Sequence, residues 1–98
     1  MAEGLTSIET RLAERYVSVL DFVSRCALAV DEGNWHYLWD KASQLEDAAG
    51  QLRAIAEENW TRVRDGGTWP RKDAVAAAVA RWGRHYRAGR LLHPEAGP

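Results

Sequence analysis

Residues 30–39, VDEGNWHYLW, place a turn between two long amphipathic segments. Glycine at Gly33 suits the left-handed backbone position that follows a helix, and asparagine at Asn34 suits the N-cap of the next one. The sequence therefore predicts that one helix ends near Glu32 and that a second begins near Trp35. Because the turn is short, we expect the two helices to form a long antiparallel hairpin.

The segment before this turn has the pattern of an amphipathic helix over residues 7–32. Thr6 and Glu9 form a capping box, in which a hydroxyl and a carboxylate three residues apart each accept from a helix-terminal amide. Apolar residues then recur at steps of three and four, and we expect them to form the core stripe: Leu12, Tyr16, Val19, Val23, Ala27 and Val30. The polar residues Arg11, Glu14, Ser18, Asp21 and Arg25 should then face solvent, with an ion pair between Asp21 and Arg25.

The segment after the turn follows a heptad pattern that is typical of a helix packed against another helix. Its members are Trp35, Leu38, Ala42, Leu45, Ala49, Leu52, Ala56 and Val63, with Asn59 as the polar position. A second capping box at Ser43–Glu46 and the helix-weakening Gly50 leave a break near residue 42 as an alternative. We predict one continuous helix over residues 35–64.

A third helix is expected over residues 69–89, after the helix-ending residues 65–68, DGGT. Pro70 is tolerated in a first helical turn. Residues 91–98 contain two prolines and no periodicity, so we expect an irregular tail. The sequence thus predicts an all-α fold, a three-helix antiparallel bundle with one domain over residues 1–90.

Composition excludes several classes of protein. The chain has 98 residues and a net charge of −1, which argues against a dedicated nucleic-acid-binding domain because such domains are usually basic. One cysteine, Cys26, cannot form an internal disulfide, which favours a reducing compartment. The sequence shows no signal peptide and no membrane-spanning run, so we expect a cytoplasmic protein.

Charge is nevertheless distributed unevenly along the chain. The first 50 residues hold four basic and nine acidic residues, whereas the last 48 hold nine basic and five acidic ones. In the third helix, Arg81, Arg84 and Arg87 fall opposite the expected core stripe, to which Trp82 and Tyr86 belong. The arginine face is interpreted first as a solvated surface, with an acidic protein partner or nucleic-acid phosphates as alternatives.

Five tryptophans in 98 residues are a high number. Tryptophan fills small cores and also dominates protein interfaces, and for any single one we expect core packing. The stretch Trp35-His36-Tyr37-Leu38-Trp39 is apolar nearly all round, so some of its rings should meet another helix, another subunit or a partner. Trp69, beside Pro70 at a loop–helix junction, is the tryptophan that we expect to be most exposed.

The sequence contains no catalytic or metal-binding constellation. The three histidines, His36, His85 and His93, have no metal-ligand spacing, and Cys26 has no activating neighbour in sequence. We therefore expect no enzymatic activity, cofactor or metal. The expected function is a small protein-interaction module, such as a regulator, adaptor or assembly subunit, with a homodimer left open; the alternative is nucleic-acid binding through the arginine face.

Two groups of residues are candidates for the functional surface. The candidate partner- or phosphate-binding residues are Trp69, Arg71, Lys72, Arg81, Arg84, Arg87 and Arg90. The candidate interface residues at the hairpin turn are Trp35, Tyr37 and Trp39.

Overall fold

The computed structural model describes residues 4–88, and their side chains up to residue 83. Within this part the chain forms three helices and no strand: α1 (Ser7–Glu32), α2 (Trp35–Arg64) and α3 (Lys72–Ala88). The all-α class and the bounds predicted for α1 and α2 are confirmed, and α2 continues through residue 42 without a break. The expected tail over residues 91–98 lies outside the described residues.

Local capping chemistry explains the first two helices. The Thr6 hydroxyl accepts from the Glu9 amide, and the Glu9 carboxylate accepts from the Thr6 amide, so both bonds of the predicted capping box form. Gly33 adopts the left-handed conformation with φ of 67°, and the side chain of Asn34 accepts from the amide of Tyr37. These caps produce the tight turn between α1 and α2.

The third helix begins at Lys72, three residues later than the predicted start at Trp69. Arg71 occupies the position before the helix, since its carbonyl accepts from the amide of Val75 at 3.0 Å. The Arg71 amide itself donates to the carboxylate of Glu9 at 2.8 Å. The contact with α1 therefore fixes where α3 starts, and Trp69 and Pro70 belong to the connection.

The three helices form a flat, elongated body with α1 in the middle. Helix α1 packs against both α2 and α3, whereas α2 and α3 make at most marginal contact in the described part of the chain. The Cα positions extend over 49 × 27 × 13 Å with a radius of gyration of 15.5 Å, against about 13 Å for a compact chain of about 100 residues. Three helices packed around a common axis would have Cα positions spread over only about 15 Å in both directions across the bundle, given interaxial distances of 8–10 Å. The observed 27 Å in one of these directions indicates helices side by side in one layer, with much of their surface uncovered.

The core side of α1 differs from the prediction. The buried residues are Ile8, Glu9, Ala13, Val17, Asp21 and Ala29. Four of the six members of the predicted core stripe are instead exposed, namely Tyr16, Val23 and Val30, at 45–52%, and Ala27. Because α1 packs against both α2 and α3, its covered positions spread over more of the helix circumference than the predicted stripe, and the exposed sector between them holds Tyr16, Val23 and Val30. The placement of Asp21 on the solvent side was also wrong, since it is only 8% exposed.

The heptad pattern predicted for α2 is half correct. Leu38, Leu45 and Leu52 are partly buried and Asn59 is 3% exposed, so this set of positions faces inward. The second inward set consists of Ala48 and Ile55, each 6% exposed, rather than the predicted Ala42, Ala49 and Ala56, which are exposed. The inward seam is therefore rotated about the helix axis relative to the prediction, and the alanine positions lie on the outside.

Candidate protein-interaction surfaces

A buried carboxylate holds α3 against α1. Glu9 is 2% exposed, and its two oxygens accept from the amide, Nε and Nη2 of Arg71 at 2.8, 3.0 and 2.7 Å. The same guanidinium donates to the carbonyl of Gly4 at 2.9 Å. One carboxylate thus caps the start of α1 and fixes the start of α3, although the two residues are far apart in sequence.

Electrostatics keep this group ionised. The hydrogen bonds from the Arg71 side chain, and next those from the Arg71 and Thr6 amides, hold the pKa of Glu9 far below its usual value, against the opposing effect of burial. Arg71 was a candidate for binding a partner or a phosphate. The structure instead places its guanidinium in this internal ion pair, with half of the side chain still exposed.

Beside this contact lies an apolar groove of about 530 Å³ between α1 and α3. Leu12 and Tyr16 form its α1 side, and Val75 and Val79 form its α3 side. Trp69 also lines the groove. It is exposed as expected, at 58%, but it is not the most exposed tryptophan, because Trp35 and Trp39 reach 63% and 67%. Lys72 is the charged residue among those that line the groove, so the surface offers apolar contact with one cation at its edge.

The groove continues along α1 as an exposed apolar stripe. Tyr16, Val23 and Val30 follow one another at seven-residue intervals, so they lie on one side of the helix. They are 45%, 47% and 52% exposed, and the partly buried Val19 lies between the first two. We call these three residues the α1 stripe. Together with the groove, which begins at Leu12, they form one apolar surface about 27 Å long along the helix axis.

A second apolar surface lies on α2. We call it the tryptophan–alanine face, and its members are Trp35, Trp39, Ala42, Ala49, Ala56 and Trp60. At about 100° per residue these six fall within an arc of about 100° on the helix. The tryptophans are 63%, 67% and 54% exposed in chain order, and the three alanines between them are also exposed.

Most of the tryptophans are therefore at the surface, contrary to the expectation of core packing. Four of the five are more than half exposed, and Trp82 is partly buried. Trp60 stacks on Trp69 with ring centres 6.2 Å apart, and Trp39 stacks on His36 at 6.1 Å. These stacks orient the rings without burying them, so the side chains remain available for contact.

Tyr37, the third candidate at the hairpin turn, has an internal role. Its hydroxyl accepts from Arg25 at 3.1 Å, and Arg25 also donates to Asp21 at 3.1 Å. This chain of polar contacts joins α1 to α2, and Tyr37 is partly buried. Of the three turn residues proposed as an interface, the structure thus leaves Trp35 and Trp39 exposed.

The arginine face of α3 is described only in part. Arg81 and Lys72 are exposed, which agrees with the outward direction predicted for Arg81. The side chains of Arg84 and Arg87, and the whole of Arg90, lie outside the described residues. The described residues include no cluster of three or more histidine, cysteine, aspartate or glutamate side chains arranged to hold a metal ion.

Neither surface was predicted as such from the sequence. The sequence did indicate that some apolar residues of α1 would be exposed, because they are too many for one side of a helix. Their spacing did not indicate which side is covered by the neighbouring helices. The Glu9–Arg71 contact has no local sequence signal beyond the capping box.

No helix in the described part of the chain has the length and apolar character needed to cross a membrane.

Comparison with known proteins adds no relative to this picture. No family model, curated protein or solved structure matches the chain.

Proposed function

We propose that this chain is a small protein-interaction module, a regulator, adaptor or assembly subunit that acts through its surface and catalyses no reaction. The observation that carries the proposal is the exposure of large apolar side chains, of which seven are 45–67% exposed. Single exposed apolar residues are ordinary on protein surfaces. Contiguous apolar patches on a small protein usually mark interaction sites.

The surface formed by the groove and the α1 stripe is the proposed site for a partner protein. It is long, narrow and apolar, which suits an amphipathic helix that inserts side chains at helical spacing into a groove. Trp69 and Tyr16 belong to the residue types that dominate binding energy at interfaces. Lys72 at the edge favours a partner helix that carries an acidic residue beside its apolar side.

The test is a comparative pull-down from extract of the native cell, with bound proteins identified by mass spectrometry. The variant with both Tyr16→Glu and Val23→Glu places two charges in the proposed site. The matched control is Ala77→Glu, which adds a charge at an exposed position of α3 outside the groove. We expect a protein that is retained by the wild type and the control but lost from the double variant.

The proposal fails if the same proteins are retained by all three baits. Circular dichroism before the pull-down establishes that the double variant is folded. Because Tyr16 and Val23 are about half exposed, their replacement should leave the helices intact.

Nucleic-acid binding through the arginine face remains a weaker proposal. The Arg71 side chain is engaged by Glu9, which leaves Lys72 and Arg81 as the exposed cations of that set among the described side chains. Three to five phosphate contacts along the arginine face would give a log–log slope of about −3 to −4.5 on duplex DNA.

A further inference from the structure

We propose that two copies of this chain associate through their tryptophan–alanine faces, with the two α2 helices antiparallel. This inference extends the proposed function, since it assigns a second copy to the exposed surface that the partner helix does not use. It starts from the heptad pattern of α2. Half of this pattern faces inward, whereas Trp35, Ala42, Ala49 and Ala56 of the other half are exposed and only Val63 at its end is partly buried. A heptad repeat is the pattern of a helix that packs on a helix.

The order of residues on this face is self-complementary. An antiparallel pair with its two-fold axis between residues 47 and 48 places Trp35 opposite Trp60 of the second copy, and Trp39 opposite Ala56. The same axis places Arg53 opposite Ala42 and Glu46 opposite Ala49. Except at the ends, each long side chain therefore meets an alanine, which lets the helices approach closely and interdigitate.

Charge on this face supports the same pairing. Glu46 and Arg53 lie within the arc of the tryptophan–alanine face, and both are exposed. In the antiparallel pair, Arg53 of one copy lies one helical turn from Glu46 of the other, within reach of its long side chain. The two-fold symmetry makes this contact twice, and in the single chain Arg53 meets only the exposed Glu57 at 3.1 Å among the described residues.

The area available matches what a stable dimer needs. Trp35, Trp39 and Trp60 are more than half exposed, and with up to about 250 Å² per tryptophan they would bury about 900 Å² over both copies. Specific interfaces begin at about 1,200 Å² in total. The exposed alanines, Glu46 and Arg53 lie between the tryptophans and would supply the remainder.

Light scattering coupled to gel filtration tests the inference on the full chain at tens of micromolar. One chain has a mass of 11.0 kDa, and we expect twice that mass for the wild type. Ala49→Glu sets a second carboxylate opposite Glu46 of the other copy and should weaken association at least about 100-fold. Ala54→Glu, the same substitution at an exposed position outside the face, should leave the mass unchanged.

A charge exchange tests the antiparallel pairing itself. Glu46→Arg and Arg53→Glu should each shift the wild-type dimer towards the monomer, and the double variant should restore it. A double variant no more dimeric than the single ones would overturn the pairing. A monomeric wild type, a dimeric Ala49→Glu variant or a monomeric Ala54→Glu variant would overturn the assignment of the face.

The test of the dimer and the test of the partner site can fail independently of each other. A monomeric wild type that still loses its partner protein upon Tyr16→Glu and Val23→Glu would refute the dimer alone. A dimer disrupted by Ala49→Glu, in a protein whose pull-down is unaffected by changes in the groove, would refute the partner site alone.

Discussion

The carboxylate of Glu9 connects the start of α1 with the start of α3, so its removal should cost much of the stability of the fold. In Glu9→Ala, the amides of Thr6 and Arg71 lose their acceptor, and the α1 capping box is broken. These two hydrogen bonds run to a charged acceptor, and at about 1.5 kcal/mol each their loss amounts to about 3 kcal/mol. The Arg71 side chain adds little to this sum, because it is half exposed and can be hydrated.

A chain of this length is expected to have about 5–15 kcal/mol of total stability. A loss of about 3 kcal/mol corresponds to a drop in Tm of roughly 12–24 °C for a domain of this size. Thermal unfolding followed by circular dichroism at neutral pH measures it. The control is Glu14→Ala, which removes an exposed glutamate from the same helix and should change the free energy of unfolding by at most about 0.5 kcal/mol. Equal Tm values for the two variants would refute the structural role of Glu9.

Three further predictions concern pH, glycine and the arginine face. Because folding lowers the pKa of Glu9, its contribution is complete above the unfolded value of about 4.3 and is lost as the pH falls below that value. The Tm of the wild type should therefore decline below about pH 5. The Glu9→Gln variant should show a shallower decline, which leaves the part due to Glu58, whose pKa is lowered by Arg11. The same dependence of Tm on pH in both proteins would contradict the assignment of the decline to Glu9. Gly33→Ala should lower stability by about 1 kcal/mol because of its positive φ, and an unchanged or higher Tm would contradict this. Gly50→Ala, at an exposed position within α2, should raise stability by about 1 kcal/mol, and a lower Tm would contradict that. Replacing Arg81, Arg84 and Arg87 together by glutamate should leave retention on DNA and RNA columns at low salt unchanged, and a clear loss would favour the nucleic-acid alternative.

Helix bounds could be predicted from the sequence because caps are local. The Thr6–Glu9 box, Gly33 and Asn34 each act within four residues, and all three features form as predicted. The start of α3 could not be predicted in this way. It depends on the bond from the Arg71 amide to Glu9, a contact between distant parts of the chain.

The covered sides of the helices were the main error, and the cause is physical. On α1, the series that contains Tyr16 and Val23 and the series that contains Ala13 and Val17 both have helical spacing. The larger residues gave the stronger hydrophobic signal. The residues that α1 buries between its two neighbours include Ala13, Val17 and Ala29, together with the polar Glu9 and Asp21. The spacing of apolar residues does not predict which side of α1 is buried, because the buried side depends on how many helices pack against it.

The same reasoning applies to the candidate surfaces. The sequence indicated that the rings around the hairpin turn are too many to be buried, and Trp35 and Trp39 are exposed. It did not indicate that Tyr37 would bond to Arg25 or that Arg71 would be neutralised by Glu9. Both residues bind side chains of α1, Arg25 and Glu9, that are distant in sequence. Neither contact is evident from the local sequence.

Site-specific photo-crosslinking at Val23 tests the proposed partner site most directly. Val23 is 47% exposed on the α1 stripe, so a benzophenone side chain there would lie against any bound partner. We predict that irradiation in the native cell extract gives one discrete adduct with a different protein, and that the same group at the exposed Ala77 gives none. The absence of an adduct at Val23, or the same adducts at both positions, would contradict the proposal that this surface binds a partner.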